Sequence, residues 1–310
     1  AFMLLDIVII IIGIYIVLKG ADLLTEGAVS LAQRMNMPEM LIGLTVVAVG
    51  TSMLEFFVSV TSALQGTTDL AVANVVGSNI FNVLLIAGVS AVVSPMVISR
   101  STVRRDIPVA VMASLILLGF GIYGSISRAA GILFLALLVA YTIYAIRTAS
   151  PDESQMTGRK PYTLLGAIGR IVIGLTGLVV GSDCFVSSAT EVAGMLGISE
   201  AVIGLTIVAG GTSLPELATS VVAARKGQSS IAIGNVIGSC VYNILLIIGV
   251  TGIITPMTIE GLSILDFALM MASITLLWLF SFTKYKVERW EGWLMIAIFA
   301  CYLAWLVYNA

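Results

Sequence analysis

The chain has 310 residues, of which 59% are hydrophobic and 10% are charged, and its mean hydropathy is +1.11. Soluble globular domains carry more charge and less apolar side-chain content, so this composition excludes them. The chain has no histidine and its three cysteines have no paired spacing, which indicates neither a zinc site nor a disulfide framework. We therefore expect a polytopic membrane protein surrounded by the lipid bilayer, with no nucleic-acid partner and no obligate protein partner.

Ten uncharged or nearly uncharged runs of membrane-spanning length follow one another along the chain. A transmembrane helix needs about 20 apolar residues. Spanning β-strands give short alternating segments instead of long apolar ones, so they are not expected here. The sequence predicts an all-α polytopic membrane protein with ten transmembrane helices, at 3–18, 40–64, 70–93, 107–126, 129–146, 163–182, 201–224, 229–254, 262–282 and 292–308.

The basic residues predict the orientation of these helices. With the amino terminus outside, fourteen of the fifteen lysines and arginines fall in cytoplasmic loops, and only Arg128 falls outside. Cytoplasmic loops of membrane proteins carry an excess of lysine and arginine. We therefore expect a multi-pass protein of the cell membrane with both termini extracellular.

The two halves of the chain are copies of one another. A shift of 161 residues aligns 13–96 with 174–257 without a gap, and about half of the pairs from Ile42 onward are identical. Each copy contains five predicted helices, and an odd number inserts the second copy in the opposite orientation. We predict two inverted repeats, residues 1–149 and 163–310, joined by a cytoplasmic linker at 150–162. Inverted repeats are typical of secondary transporters, whose ion sites lie near the bilayer centre where the copies meet.

Two related motifs each place one carboxylate inside a predicted span. V-G-T-S-M-L-E ends at Glu55, and G-G-T-S-L-P-E ends at Glu216. A charge at this depth costs about 3 kcal/mol on insertion scales, so it needs a partner. No lysine or arginine is placed at matching depth, which makes a cation the simplest partner, and two carboxylates match one divalent ion. The alternative, a protonated structural carboxyl, is disfavoured because the feature occurs twice.

Neutral oxygens near these glutamates indicate a hard cation. Helical spacing places hydroxyls on the face of each glutamate, and further polar pairs lie one turn apart in the following span. These side chains are Thr51, Ser52, Thr212, Ser213, Ser78, Asn82, Ser239 and Asn243. Oxygen ligands suit Ca²⁺ and Na⁺, whereas soft metals need cysteine or histidine and Mg²⁺ demands stricter octahedral geometry. The serines also fit a close helix contact in lipid, and the asparagines also fit interhelical hydrogen bonds.

The proline of the second motif predicts a broken helix. Pro215 has no N–H, so it releases the carbonyl of Gly211 from the helical hydrogen-bond ladder, and Gly210 loosens the same turn. Freed carbonyls at membrane depth are tolerated where they line a protein or water cavity, as in the broken helices of transporters.

Five further acidic residues are not assigned to this site. Four of them repeat near the ends of predicted spans, where a solvated or helix-capping role is expected. These are Asp22, Asp183, Glu39 and Glu200. The fifth, Asp266, has no counterpart in the first half and no predicted role.

The residues G-T-S-L-P-E at 211–216 and G-N-V-I-G-S at 234–239, with their first-half partners, resemble the cation/calcium exchanger superfamily, specifically the prokaryotic sodium/calcium exchangers. The resemblance covers essentially the whole chain. It implies ten helices in two inverted halves, with the first and sixth helices sliding across a fixed core to alternate access. It also implies that the glutamates and hydroxyls named above bind the metal together with the backbone carbonyls of Ala48 and Ala209.

Three residues depart from the family pattern. Leu54 stands where the pattern has proline, so the Gly50 carbonyl is expected to stay in the helix, which weakens the first-half site or alters its opening. Ala73 replaces a glycine and is expected to stiffen its helix mildly. Asn243 occupies a position that is aspartate in potassium-dependent members, which argues against potassium co-transport and leaves two site carboxylates instead of three.

The sequence therefore predicts a non-enzymatic antiporter, without a cofactor, that exchanges Na⁺ for Ca²⁺. The alternative is a Ca²⁺/H⁺ antiporter in which protons neutralise the same two glutamates. A cation channel has no need for the inverted repeat, and an intramembrane hydrolase needs a nucleophile with a base. Ser213 near Glu216 imitates such a pair only faintly.

Overall fold

A computed structural model describes residues 2–148, 161–197, 207, 209–282 and 284–309. The described part of the chain is almost entirely helical, as the sequence predicts. Its helices are α1 (Phe2–Met35), α2 (Glu39–Thr51), α3 (Met53–Leu64), α4 (Thr68–Val93), α5 (Thr102–Tyr123), α6 (Arg128–Arg147), α7 (Leu164–Met195), α8 (Ala209–Thr212), α9 (Leu214–Arg225), α10 (Ser229–Ile254), α11 (Ile264–Phe282) and α12 (Arg289–Asn309). Four two-residue strands are β1 (Met96–Val97), β2 (Ser125–Ile126), β3 (Met257–Thr258) and β4 (Lys286–Val287).

Eight of the described helices are long and apolar enough to cross a membrane. Helices α2 and α3 together make a ninth candidate span, bent by 46°. The predicted seventh span, 201–224, begins outside the described residues. Most of the predicted linker at 150–162 also lies outside them. The chain is therefore a multi-pass, all-helical membrane protein, and its tenth helix stays a prediction.

Helices α1 and α7 extend well beyond the predicted spans at 3–18 and 163–182. They contain 34 and 32 residues. At about 1.5 Å per residue, each is longer than the bilayer core of about 30 Å. The predicted limits were wrong because hydropathy marks the lipid-facing stretch, whereas the polar residues after it continue the helix. Helix α1 ends at Met35, and the next residue, Asn36, leaves the helix with a φ of 52°, two residues before Pro38.

Helices α1 and α7 pack against each other, antiparallel, through small residues. A Cβ on Gly13 would lie 2.9 Å from the carbonyl oxygen of Gly181, and a Cβ on Gly20 would lie 2.8 Å from that of Gly174. Gly174 and Gly181 are themselves the repeat counterparts of Gly13 and Gly20. Equivalent residues of the two halves thus meet, as expected for a contact on a pseudo-twofold axis. Small residues are needed there because the two backbones almost touch.

Helices α4 and α10 form the centre of the bundle. In their most apolar stretches 72% and 78% of residues are buried inside the protein, against 17% in α1 and α12. Helices α4 and α10 are therefore surrounded by protein, whereas α1 and α12 face outward. Two antiparallel strand pairs also join the halves, with Met96 opposite Val287 and Ile126 opposite Met257.

In each half, the span that carries the glutamate motif is broken at a serine. The chain leaves helical geometry at Ser52, between α2 and α3, and at Ser213, between α8 and α9, with ψ of 8° and 10°. Pro215 follows the second break as predicted. The first break occurs although Leu54 stands at the matching position, so proline is not required for it.

Both breaks lie against α7. A Cβ on Gly50, two residues before the first break, would lie 2.7 Å from the side chain of Leu175. A Cβ on Gly211, two residues before the second break, would lie 2.0 Å from the side chain of Val186. Glycine at these positions lets α7 approach both broken spans closely.

An ion-pair cluster connects one end of the α1–α7 pair to the rest of the protein. Lys226, which follows α9, lies 2.9 Å from Asp22 and 3.5 Å from Glu26 of α1. Glu26 also lies 3.6 Å from Arg170 of α7. Because α1 is longer than predicted, Asp22 lies inside this helix and not at its end. Asp22 therefore does not cap the helix, and its side chain is 40% exposed, so the solvated role is the one of the two expected roles that holds.

The other repeated acids have different surroundings. Glu39 begins α2 but is only 8% exposed, and its Oε1 has no hydrogen-bond partner among the described residues. A solvated role for Glu39 is therefore wrong, because α2 starts within the packed bundle against α1 and α10. Asp183 lies inside α7 with an exposed side chain, so it has the expected solvated role and does not cap that helix. Glu200 lies outside the described residues.

Asp266 has a role and a counterpart after all. Its Oδ2 accepts hydrogen bonds from the backbone N–H and hydroxyl of Ser263 at the start of α11, at 3.0 and 2.8 Å, and its Oδ1 accepts one from Tyr302 at 2.8 Å. In the first half, Tyr141 donates to Asp106 at 3.0 Å. The tyrosines are 161 residues apart, whereas the aspartates are 160 apart. A fixed shift along the sequence therefore missed the pair.

We predict that Gly174→Ala lowers stability by about 1–3 kcal/mol, because its Cβ would lie 2.6 Å from the backbone nitrogen of Leu24. The thermal unfolding midpoint of the detergent-solubilised protein measures this. Gly169→Ala on the same helix is the control, since no atom of the described residues lies within 4 Å of a Cβ there. Equal midpoints for the two variants would contradict the close contact of α1 and α7.

Candidate ion-binding site

Glu55 and Glu216 occupy equivalent places at the two helix breaks. Each lies in the first turn of the helix that follows a break, α3 for Glu55 and α9 for Glu216. Both side chains are completely buried, with 0% exposure. The N-terminal end of a helix carries partial positive charge, which favours an anion there. The breaks therefore place two acidic groups inside the bundle at the start of two helices.

Each glutamate is held by the serine of the opposite half. The hydroxyl of Ser213 donates to Oε1 of Glu55 at 2.8 Å, and the hydroxyl of Ser52 donates to Oε1 of Glu216 at 3.0 Å. Ser213 lies at the break before Glu216 but bonds to Glu55. Ser52 lies at the break before Glu55 but bonds to Glu216. The two bonds cross the interface between the halves, so they bring the two carboxylates together in one site.

Asn74 and Asn235 support the same turns from the next helices. Asn74 donates to the backbone oxygen of Glu55 at 3.2 Å, and Asn235 donates to that of Glu216 at 3.3 Å. The same amides donate to Ser59 at 2.9 Å and to Ser220 at 3.0 Å, each one turn further along the helix. Sequence reasoning missed these asparagines, although their 161-residue separation was a signal that pointed to them.

The remaining predicted hydroxyls divide between bonded and unbonded groups. Thr51 bonds to the side-chain oxygen of Asn235 at 3.1 Å and to the carbonyl of Ala48 at 3.3 Å. Ser78 lies 3.4 Å from the hydroxyl of Ser213, which places it beside Glu55. The hydroxyl of Ser239 is buried and has no partner among the described residues.

The backbone carbonyls and Thr212 are placed less completely. The carbonyl of Ala48 also accepts the backbone N–H of Ser52 at 3.0 Å. Ala209 begins the short helix α8, and Thr212 ends it, one residue before the break. The chain positions of these residues beside the second break agree with the repeat.

Asn82 and Asn243 lie where α4 and α10 change to a wider π-helical turn. These turns span Phe81–Ala87 and Asn243–Ile248. π-helical turns often occur at functional sites because they redirect side chains out of the regular helical register. Both asparagines are completely buried. The two helices that carry them contact the helices of the two glutamates.

Several oxygen atoms in this region have no hydrogen-bond partner among the described residues. A buried polar atom without a partner is costly, so such atoms are rare in proteins. They include Glu55 Oε2, Glu216 Oε2, Asn82 Oδ1, Asn243 Oδ1 and Ser239 Oγ. Oxygens of this kind are the ligands that hard cations prefer.

No basic group neutralises the two glutamates within the described part of the chain. The ion pairs found there join other acidic residues to lysine or arginine. In the same described residues, no three histidine, cysteine, aspartate or glutamate side chains lie close enough together to hold a metal ion. The region therefore offers two carboxylates and neutral oxygens, which is a donor set for Ca²⁺ or Na⁺ and not for a soft metal.

Comparison with known proteins identifies the family of this chain. The profile of the family described as sodium/calcium exchanger protein matches residues 5–147 and again 166–308. The putative antiporter CaxA of Alkalimonas amylolytica is 37% identical over 312 residues, which cover 97% of this chain and 98% of that protein. The sodium/calcium exchanger MaX1 of Methanosarcina acetivorans is 31% identical over 343 residues, with 97% and 98% covered.

A solved structure gives the same answer. The sodium-calcium exchanger NCX_Mj, soaked with zero Na⁺ and Ca²⁺, superposes on this chain with a TM-score of 0.87 and 29% sequence identity. The superposition covers 98% of this chain and 99% of that one. The profile, the relatives and the structure agree over nearly the full length, and the chain belongs to the sodium/calcium exchanger family.

Proposed function

We propose that this protein is an antiporter that exchanges Na⁺ for Ca²⁺ across the cell membrane, with both cations bound at Glu55 and Glu216. The observation that carries the proposal is the pair of buried carboxylates, each held by the serine of the opposite half and neither paired with a basic group of the described residues. Such a pair needs cations to neutralise it.

The ligand set follows from the groups around these carboxylates. Besides the glutamates, it contains hydroxyls, amide oxygens and two backbone carbonyls. The members are Glu55, Glu216, Thr51, Ser52, Thr212, Ser213, Ser78, Ser239, Asn82, Asn243, Ala48 and Ala209. Ca²⁺ takes six to eight oxygen ligands, and flexible side chains from several helices can supply that number. The unpartnered buried oxygens support this assignment.

Exchange follows from the charge of the site. Two carboxylates carry two negative charges, which one Ca²⁺ or two Na⁺ neutralise. An uncompensated charge inside the membrane is costly, so the helices rearrange readily only when cations are bound. Ca²⁺ and Na⁺ compete for the same carboxylates, so their occupancy is mutually exclusive and the gradient of one drives the other. Any further Na⁺ would make the cycle respond to voltage.

Alternating access is the mechanism that fits a buried site. Neither glutamate is exposed, so an ion reaches them only after helices move. The α1–α7 pair is the natural moving part, because it lies at the periphery, is held together by close backbone contact and touches both broken spans. In the proposed architecture ten helices form two inverted repeats, residues 1–149 and 163–310, with both termini extracellular.

We predict that a sodium gradient drives calcium uptake. Proteoliposomes loaded with Na⁺ are diluted into sodium-free medium containing ⁴⁵Ca²⁺, and parallel vesicles contain K⁺ or carry only a pH gradient. Uptake is expected only in the sodium-loaded vesicles. Uptake driven by the pH gradient alone would replace this function with Ca²⁺/H⁺ exchange at the same glutamates.

We also predict that Glu55→Gln and Glu216→Gln each reduce sodium-driven ⁴⁵Ca²⁺ uptake by at least about a hundredfold, because the bound cation would lose one of its two carboxylate ligands and breaking a buried ion pair costs about 3–5 kcal/mol. Glutamine keeps the size of the side chain. The control is Glu260→Gln, which changes an exposed glutamate and should retain uptake. Normal uptake by either site variant would refute the assignment of the glutamates.

Leu54→Pro is expected to leave sodium-driven uptake within about twofold of the parent. The first span already breaks at Ser52 without proline, and position 54 lies in the first turn of α3, where proline is tolerated. Initial ⁴⁵Ca²⁺ uptake rates, normalised to the amount of reconstituted protein, measure the effect. A large gain in rate would mean that leucine impairs the first-half site, as the sequence alone suggested.

A further inference from the structure

Asn79 breaks the symmetry of the two repeats close to the site. It lies in α4, three residues before Asn82, and is 2% exposed. Its counterpart in the second half is Cys240, which cannot make the same hydrogen bonds. A buried polar residue that is present in only one half calls for an explanation specific to that half.

The hydrogen bonds of Asn79 form a short chain from α11 to α10. Its amide nitrogen donates to the sulfur of Met270 at 3.7 Å. Its amide oxygen accepts from the amide nitrogen of Asn243 at 3.3 Å. A thioether sulfur can accept a hydrogen bond but cannot donate one. Met270 therefore selects the orientation in which Asn79 turns its nitrogen to the sulfur and its oxygen to Asn243.

The orientation of Asn79 in turn determines that of Asn243. Because Asn79 offers an oxygen, Asn243 must offer its amide nitrogen, and its own oxygen is left over. That atom, Oδ1, is buried and has no partner among the described residues. The reverse orientation of Asn243 would instead present an NH₂ group, which is a donor and repels a cation.

We propose that Met270 and Asn79 are positioning residues that fix the amide of Asn243 with its carbonyl oxygen directed to the transported cation. This inference rests on the proposed function, in which Asn243 is a ligand. This series of hydrogen bonds begins at the sulfur of Met270, which can only accept a hydrogen bond. It ends at Oδ1 of Asn243, which is available to bind a metal.

The first half lacks the equivalent series of hydrogen bonds. The counterpart of Asn79 is Cys240, and the 160-residue spacing of Asp106 and Asp266 makes Ala110 the counterpart of Met270. Neither amide atom of Asn82, the counterpart of Asn243, has a hydrogen-bond partner among the described residues. No hydrogen bond to a described residue fixes the orientation of Asn82, so the two amides of the site differ. Asn243 presents a prepared oxygen, whereas Asn82 must turn when an ion binds.

The first test is Met270→Leu, which removes the acceptor but keeps the volume of the side chain. We expect the KM for Ca²⁺ in sodium-driven uptake to rise about three- to tenfold, the equivalent of one hydrogen bond, while the maximal rate changes less than about twofold. Met271→Leu, at the next position of the same helix, is the control and should keep the parent KM. Equal KM values for the two variants would overturn the inference.

The second test asks whether Met270 acts through Asn79. Asn79→Ala alone should raise the KM at least as much, and adding Met270→Leu to it should raise it no further, because the two residues act in one chain. An additional rise in the double variant, as large as in the single one, would show that Met270 acts by packing and would refute the inference.

Equilibrium ⁴⁵Ca²⁺ binding to the solubilised protein separates this inference from the proposed function. Binding reads the affinity of the site even if sodium-driven uptake fails in the parent protein. Weaker binding by Met270→Leu than by Met271→Leu supports the chain, and equal binding overturns it. Failure of the proposed function is instead seen in the parent alone, as absence of sodium-driven uptake.

Discussion

Two carboxylates buried together, with no basic partner among the described residues, are the constraint on which the rest of this structure depends. They repel each other and have lost their hydration, so the protein must compensate them with dipoles, hydroxyls and cations. The breaks at Ser52 and Ser213 serve this need in two ways. Each starts a new helix whose N-terminal end faces its own glutamate, and each turns a hydroxyl toward the glutamate of the other half. The arrangement requires two copies of the unit, because neither half supplies both the carboxylate and its hydrogen-bond donor.

The sequence repeat supplies the framework, and its departures from symmetry fall close to the proposed site. The glycine contact between α1 and α7 and the two crossed serine–glutamate bonds follow the repeat closely. Leu54 opposite Pro215 is a departure with little structural effect, since both spans break at the same position. Asn79 opposite Cys240 is a departure with a larger effect, because it gives only one of the two central asparagines an oriented amide.

Much of this arrangement was predictable from the sequence because the signals were repeated. Glu55 and Glu216 stand out as lone charges in apolar runs, and a fixed shift relates their motifs. The lengths of α1 and α7 were not predictable from hydropathy, which reports lipid contact and is silent on a helix that continues through polar residues such as Asp22 and Glu26. The roles of Asn74 and Asn235 depend on which helix packs beside which, and no local pattern carries that information. The aspartate–tyrosine pairs were missed because one aspartate moved by a single position while the packing of its tyrosine was kept.

The ion pair of Lys226 has a consequence for the balance of the transport cycle. The repeat counterpart of Lys226 is Gln65, and the counterpart of its partner Asp22 is Asp183. If the halves exchange conformations during the proposed cycle, Asp183 approaches an uncharged amide where Asp22 now meets a lysine. A half-exposed ion pair contributes up to about 1 kcal/mol, which is roughly a fivefold difference in population. In the proposed cycle this ion pair alone would therefore make the two access states unequal in energy before any ion binds, and the empty protein would populate one of them up to about fivefold more than the other.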